Sequence, residues 1–479
     1  MLKQALTEIA AWPIEAKEES SSEYFFHFND VSFIENGVKN YVIGRKGTGK
    51  TAIAEYLHRR VSFDRFSRML SFKNFPFNAL YDFADNSYNR PNQYITIWTY
   101  VIYNYICSMM SENATVLSKC SIDLRKSFSF EVKGALAQSV KNITSRNYSL
   151  SILGIGGALS ETKGQERFDF VRANEALRSF IIENIDESVY FIIFDELDED
   201  YRDVLNPDRR DGYFELLISL FKAVQNVRAE LASCSAKIRP VIFLRDDIFD
   251  LCRDVDKNKW LDRAVVLRWD ESQLRQLTKF RLARALELSG SPTEIDRAWD
   301  AIFSVRTTRF GSNGKNSSDT FKFMIGRTFL RPRDVISYLR ECAKIALAKD
   351  DPQRINNDII KDAIDGHSAY MRREIIDETF PVLEDISEVL DVISKIRKQI
   401  FSRKEFNDRY REYININSEG RSRDLTESQV LKILYHFNVI GNVTSGGHRV
   451  YAYNSEVKVL NMDENFCVHS GLMRSLSIA

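Results

Sequence analysis

Short apolar runs separated by longer stretches of helical periodicity mark the first half of the chain. Five of them, 40–43, 68–72, 189–194, 240–245 and 264–268, are too short for helices and read as strands. Their alternation with helical stretches predicts a parallel-sheet α/β domain over residues 39–270. An insertion, 75–188, separates the second and third strands. It holds the aromatic stretch "YITIWTYVIYNYICSMM" (94–110) and "YSLSILGIGGALSETKG" (148–164), whose alternation breaks on glycines like a hairpin. Residues 271–375 predict a helical domain, from "SQLRQLTKFRLARAL" to "PRDVISYLRECAKIALA", with the polar loop "TTRFGSNGKNSSD" between them expected to move. In the last segment, 376–479, helices over 382–400 and 402–414 lead to "TESQVLKILYHF" and a hairpin turning on Ser445-Gly446-Gly447. Helix, helix, helix, two strands is the order of a winged helix. Residues 1–38 read as a helical lead-in, then an acidic, Ser-rich linker from Glu18 to Ser22, then the aromatic "YFFHF".

Composition narrows the class. The 479 residues suffice for about two or three domains with cores of their own. Lys+Arg and Asp+Glu both count 67, so nothing draws the whole molecule to nucleic acid or anionic lipid, and such binding needs a local patch. The six cysteines (107, 120, 234, 252, 342 and 467) form no CxxC pair, which argues against zinc and a disulfide framework and for a reducing cytoplasm. No signal-type apolar core opens the chain. The aromatic stretch has 17 residues, fewer than the roughly 20 that span a bilayer, so a buried or interface helix is favoured over a membrane span.

The chemistry concentrates in "GRKGTGKT" (44–51), which follows the apolar Tyr41-Val42-Ile43 and precedes a helical stretch. Strand, GxxxxGK[ST], helix is the setting of a phosphate-binding loop. Gly44, Gly47 and Gly49 let the backbone curl so that its N–H groups meet phosphate oxygens. Lys50 reaches the β- and γ-phosphates, the Thr51 hydroxyl holds Mg²⁺, and the helix dipole favours the anion. Arg45, Lys46, Thr48 and Ala52 complete the nucleotide-binding segment. Its partner is "VYFIIFDELDED": an apolar strand ending in Asp195, placed to orient Mg²⁺, and Glu196, placed as general base for an attacking water. At the end of another strand, Arg245 either senses the γ-phosphate or pairs with Asp246 or Asp247. In "FLRPRDVISYL", Pro332 is ordinary helix-start chemistry, and Arg333 is preferred over Arg331 as a residue that reaches the nucleotide.

"GRKGTGKT", "IIFDELDE", "IFLRDD" and "RPRD" together resemble bacterial P-loop ATPases of the AAA+/STAND/KAP group, and within it a set of stand-alone ATPases with an "iiGrKGtGKsa" signature. The resemblance spans roughly residues 24–345, and "FCVHSGL" (466–472) is similar to the tail of the same set. It implies a P-loop ATPase core with sheet order 5-1-4-3-2, a helical lid and a C-terminal winged helix. It also implies a sensor-1 role for Arg245, a sensor-2 role for Arg333 and a trans-acting finger at Arg263, along with an association with anti-phage defence. Two features depart from the group: sensor 1 is commonly Asn or Thr, and the interval of 144 residues from Thr51 to Asp195 is long.

The expected activity is Mg²⁺-dependent ATP hydrolysis coupled to homo-oligomerisation or to control of a protein partner or effector. The alternative is a DNA-associated ATPase, a motor or loader that contacts nucleic acid through the winged helix. The candidate recognition helix opens with Asp424 and Glu427 and carries only Lys432 as a basic side chain before His436. Arg421, Arg423, His448 and Arg449 substitute thinly, so docking on the core or a partner is favoured over DNA.

Overall fold

The five apolar runs form one parallel sheet: β1 (Tyr41–Gly44), β2 (Arg65–Ser71), β3 (Val189–Asp195), β4 (Lys237–Leu244) and β5 (Ala264–Leu267), ordered β2-β3-β4-β1-β5. This is the order 5-1-4-3-2 of a P-loop NTPase, counted from the opposite edge. Strands covered on both faces need apolar residues at every position rather than at alternate ones, and Phe191, Ile192, Ile193 and Phe194 are all fully buried. The computed structural model describes residues 1–19, 24–71, 94–120, 124–128, 170–198, 207–234, 236–288, 291–311, 314–349, 351–416, 425–455 and 459–478. The hairpin expected at 148–164 lies outside them, as do Arg421, Arg423 and Asp424. The chain divides into two compact units. The first comprises Met1–Phe26, Lys46–Gly49 and Arg268–Ala479; the second comprises His27–Arg45 and Lys50–Leu267.

In the second unit, two strands begin earlier than the apolar pattern suggests, and pairing explains both. Among the described residues β2 is an edge strand that pairs only with β3, so Arg65, Ser67 and Arg68 are tolerated in it. β4 starts at Lys237 because its first half pairs with β3 alone, and β1 joins only at Ile242. Pro240 sits in that half. Its carbonyl accepts from the Asn40 side-chain amide at 3.0 Å, on the side where no β1 partner exists, so its missing N–H breaks no ladder bond.

Helix α1 (Lys50–Arg59) follows β1, and the aromatic stretch becomes α2 (Ile95–Met110). Every residue of α2 from Ile97 onward is buried, against α3 (Phe170–Asn184), α4 (Pro207–Glu230) and the β2–β3 face of the sheet. A helix apolar on all sides is one enclosed on all sides. The Trp98 indole N–H donates to the Leu216 carbonyl at 3.1 Å, and the Asn104 amide turns back to the Tyr100 carbonyl at 2.8 Å. Among the described residues, no helix is long and apolar enough to cross a membrane.

In the first unit, an N-terminal helix (Leu2–Ala11) packs on α5 (Glu271–Ala285) and α6 (Pro332–Leu347). Arg281 of α5 is buried beneath the Trp12 and Tyr24 rings and paired with Glu19. The stretch 307–319, expected as a mobile loop, is instead an antiparallel hairpin of β6 (Thr307–Phe310) and β7 (Asn316–Asp319). Gly311 and Gly314 supply its left-handed turn, and Thr308 bonds Thr320 in the interior.

Helix α7 (Asn357–Thr379) belongs to two hydrophobic cores. Ile359, Ile360 and Ala363 join the one built on α5 and α6, while Tyr370, Met371 and Ile375 join the C-terminal one. The C-terminal module contains α8 (Ile386–Ile396), β8 (Ile400–Phe401), α9 (Arg403–Ile416), α10 (Glu427–His436), β9 (Ile440–Val443), β10 (Arg449–Val450) and β11 (Asn465–Val468). Its sheet is ordered β10-β9-β11-β8, with antiparallel ladders throughout. α8 ends at Arg397 in the left-handed region, several residues before the expected 400, and β8 follows. The hairpin turns on Ser445-Gly446-Gly447, with Gly447 at φ +79°.

Candidate functional site

The loop after β1 has both ends and its outer face fixed. Gly47 and Gly49 adopt φ of +79° and +98°, which L side chains rarely take. A Cβ on Gly47 would also come within 3.2 Å of the Arg333 Cβ. The carbonyls along the loop face protein donors. The Lys50 ammonium curls back to the Gly44 and Arg45 oxygens at 2.8 and 3.1 Å. Within the first unit, the Arg331 guanidinium donates to the Lys46 carbonyl at 3.2 Å, the Arg333 peptide N–H points at the Gly47 carbonyl at 3.5 Å, and the Trp269 indole donates to the Thr48 carbonyl at 2.9 Å. A loop whose carbonyl oxygens are engaged in this way suits an anion-binding cradle of N–H groups. Burial pushes the Lys50 amine down from its ordinary range, while Asp198 and Asp195 pull it back up. A phosphate would favour its charged form further.

The carboxylates stand at the end of β3. Asp195 is 2% exposed, and burial raises its pKa to about 6, although the Thr51 hydroxyl donates to it. Its Oδ2 is buried without a hydrogen-bond partner, an arrangement that costs free energy unless something else satisfies it. One hydroxyl beside a carboxylate with an unbonded oxygen fits a hard cation such as Mg²⁺, which takes oxygen ligands and leaves places for water and phosphate. Thr51 and Asp195 are the residues that would hold it. Glu196 follows at φ +59°, a left-handed position that a β-strand cannot continue through. The Ser71 hydroxyl, at the β2 end directly opposite Asp195, donates to the Glu196 carboxylate.

The arginines differ in how firmly they are held. Arg245 forms a two-pronged pair with Asp247, Nε to Oδ1 at 3.0 Å and Nη2 to Oδ2 at 2.6 Å, and lies 3.6 Å from Asp198. Arg331 is 1% exposed and bonded to both Asp334 and Glu378. Arg333 makes a longer contact, 3.3 Å, to Glu374. Arg263 is exposed and donates to the Val38 carbonyl at 3.2 Å. It precedes β5, whose last residue Leu267 is level with Gly44, so Arg263 stands at the other end of the sheet from its own loop. Ala52 lies in the first turn of α1.

Sequence reading did not single out Ser71, Trp269, Glu374 or Glu378. Ser71 was recoverable as the polar end of the strand opposite Asp195. Glu374 meets Arg333 across 41 residues and Glu378 meets Arg331 across 47, and no local pattern marks either.

Residues 272–376 match the family described as the FunZ-associated C-terminal helical domain. An 80.3 kDa protein of transposon gamma-delta from Escherichia coli (strain K12) is 26% identical over 349 residues, 68% of this chain and 45% of that protein. The chain therefore spans less than half the length of this relative. The Aeropyrum pernix ORC1 protein, solved in complex with DNA, is similar at a TM-score of 0.38 and 13% identity over 93% of this chain and 90% of that one. The Aeropyrum pernix ORC2 protein, solved as ADPNP-ADP complexes, is similar at 0.37 and 14% over 96% and 91%.

Proposed function

We propose that the chain binds Mg-ATP on the loop 44–51 and hydrolyses it. The observation that carries this reading is the buried Asp195 carboxylate, bonded on one side to Thr51 of the loop's own helix and unbonded on the other. The loop N–H groups and Lys50 hold the phosphates, and Thr51 and Asp195 hold the cation, which neutralises charge on the phosphate oxygens. Glu196 accepts a proton from the attacking water. β4 lies between β1 and β3, which leaves Arg245 at a strand end between the loop and the carboxylates.

The output is a nucleotide-controlled protein contact in a homo-oligomer or with an effector. Arg263, beside the exposed Leu251, Val255 and Leu261 in sequence, suits a residue that serves a neighbouring copy. The C-terminal module is read as a winged helix. Arg411 pairs with Glu427 at the start of α10, so its charge is matched there rather than presented to a phosphate backbone. This supports a protein-docking role over a DNA-associated motor. An anti-phage role and a cytoplasmic setting belong to the same proposal.

The test is steady-state ATP hydrolysis with native mass measured in ADP and in ATP, with and without nucleic acid. Mg²⁺-dependent turnover that vanishes in Lys50→Ala, with mass rising in ATP, is expected. Full turnover by Lys50→Ala overturns the site, and stimulation by DNA overturns the docking role.

A further inference from the structure

Two arginines two positions apart, Arg331 at the N-cap of α6 and Arg333 in its first turn, reach the loop tip, yet they are held in opposite ways. Arg331 is sealed between Asp334 and Glu378, so its charge is permanently matched. Arg333 is 22% exposed in its side chain and touches Glu374 Oε2 at 3.3 Å. The same Oε2 lies 3.8 Å from the ammonium of Lys46, a residue of the loop itself. One carboxylate oxygen thus faces an ammonium and a guanidinium at the tip of a phosphate-binding loop, the partners a phosphate oxygen would take. Both contacts are long and partly exposed, so they contribute little and exchange readily.

We propose that Glu374 is a positioning residue that stands in for the terminal phosphate: it holds Lys46 and Arg333 at the loop tip until a nucleoside triphosphate displaces it. The inference rests on the ATP reading above and specifies how the site tells a triphosphate from a diphosphate. Binding of the shorter nucleotide leaves the Glu374 contacts in place. The displaced group sits on α7 between Met371 and Ile375, two residues of the C-terminal core, so exchange at the loop acts directly on the helix that carries that core. Glu378, one turn further, keeps Arg331 on the Lys46 carbonyl in either state.

The experiment compares ATP and ADP affinities, with Mg²⁺, for the full chain and for Glu374→Gln. Removing the competing charge is expected to tighten ATP by about fivefold or more while ADP changes less than about twofold. The gain should disappear in the Glu374→Gln/Arg333→Gln double variant. Arg333→Gln alone, the second arm should Glu374→Gln fail to fold, is expected to lower the ATP-to-ADP affinity ratio. A ratio unchanged in every variant, with the parent chain binding Mg-ATP, overturns this inference and leaves the ATP reading standing. A parent chain that binds no Mg-ATP overturns both. Equal losses for both nucleotides would assign Glu374 a purely structural role.

Discussion

The Ser71 hydroxyl donates a hydrogen bond to the Glu196 carboxylate, joining the last residue of β2 to the residue just past β3. The register that sets Ser71 opposite Asp195 makes this contact a property of the sheet rather than of a loose side chain. It also occupies an acceptor position on the carboxylate that would receive the proton of the attacking water.

Ser71→Ala should therefore remove this one restraint on Glu196. A net side-chain hydrogen bond is worth about 1 kcal/mol, so kcat for ATP is expected to rise by up to about fivefold with KM unchanged. Steady-state kinetics check this. A fall in kcat would mean that the serine aims the carboxylate productively instead of restraining it.

Asp195 makes the site sensitive to pH. Burial lifts its pKa to about 6, above its unfolded value, so between roughly pH 4 and 6 the folded chain binds more protons than the unfolded one. Without a cation, stability should fall as pH rises through that window and level off above it. Asp195→Asn should be more stable than the parent at pH 7 by roughly 2–3 kcal/mol, and the difference should close by pH 4. Chemical denaturation at the two pH values reads it. Mg²⁺ selects the ionised form, so Mg-ATP binding near pH 6 should release a proton, measurable by titration calorimetry in buffers of different ionisation enthalpy.

The apolar runs of β1 and β3 were legible because strands buried on both faces admit no polar position. The residues of the candidate site were legible with them: Lys50, Thr51, Asp195 and Glu196 lie at fixed offsets from the C-terminal ends of β1 and β3, which local pattern sets. The beginnings of β2 and β4 were not, because an edge position and an unpaired half-strand tolerate Arg65, Lys237 and Pro240. What surrounds the loop depends on tertiary contact. Arg245 read equally as a phosphate sensor or as the partner of a neighbouring aspartate, and only the fold places it on Asp247. The preference for Arg333 over Arg331 had no basis in periodicity. What the fold shows is a difference in burial: the Arg331 guanidinium is buried and matched, while Arg333 is partly exposed and paired at 3.3 Å with Glu374.

That contrast predicts unequal costs. Arg331→Ala leaves Asp334, fully buried, and Glu378 without their cation, and breaking a buried pair in this way costs about 3–5 kcal/mol. Arg333→Ala should cost less than about 1 kcal/mol while weakening ATP binding. Urea midpoints separate the two, and equal destabilisation would contradict the division of roles.

The most direct test of the ATP site is a paired measurement on Glu196→Gln: Mg-ATP affinity by titration calorimetry and phosphate release under single-turnover conditions. The amide keeps the size of the side chain and leaves the loop, Lys50, Thr51 and Asp195 intact, but it cannot take the proton of water. Binding within about threefold of the parent chain with hydrolysis reduced at least about a hundredfold is the expected result. Hydrolysis at the parent rate, or no Mg-ATP binding by either protein, would contradict the account.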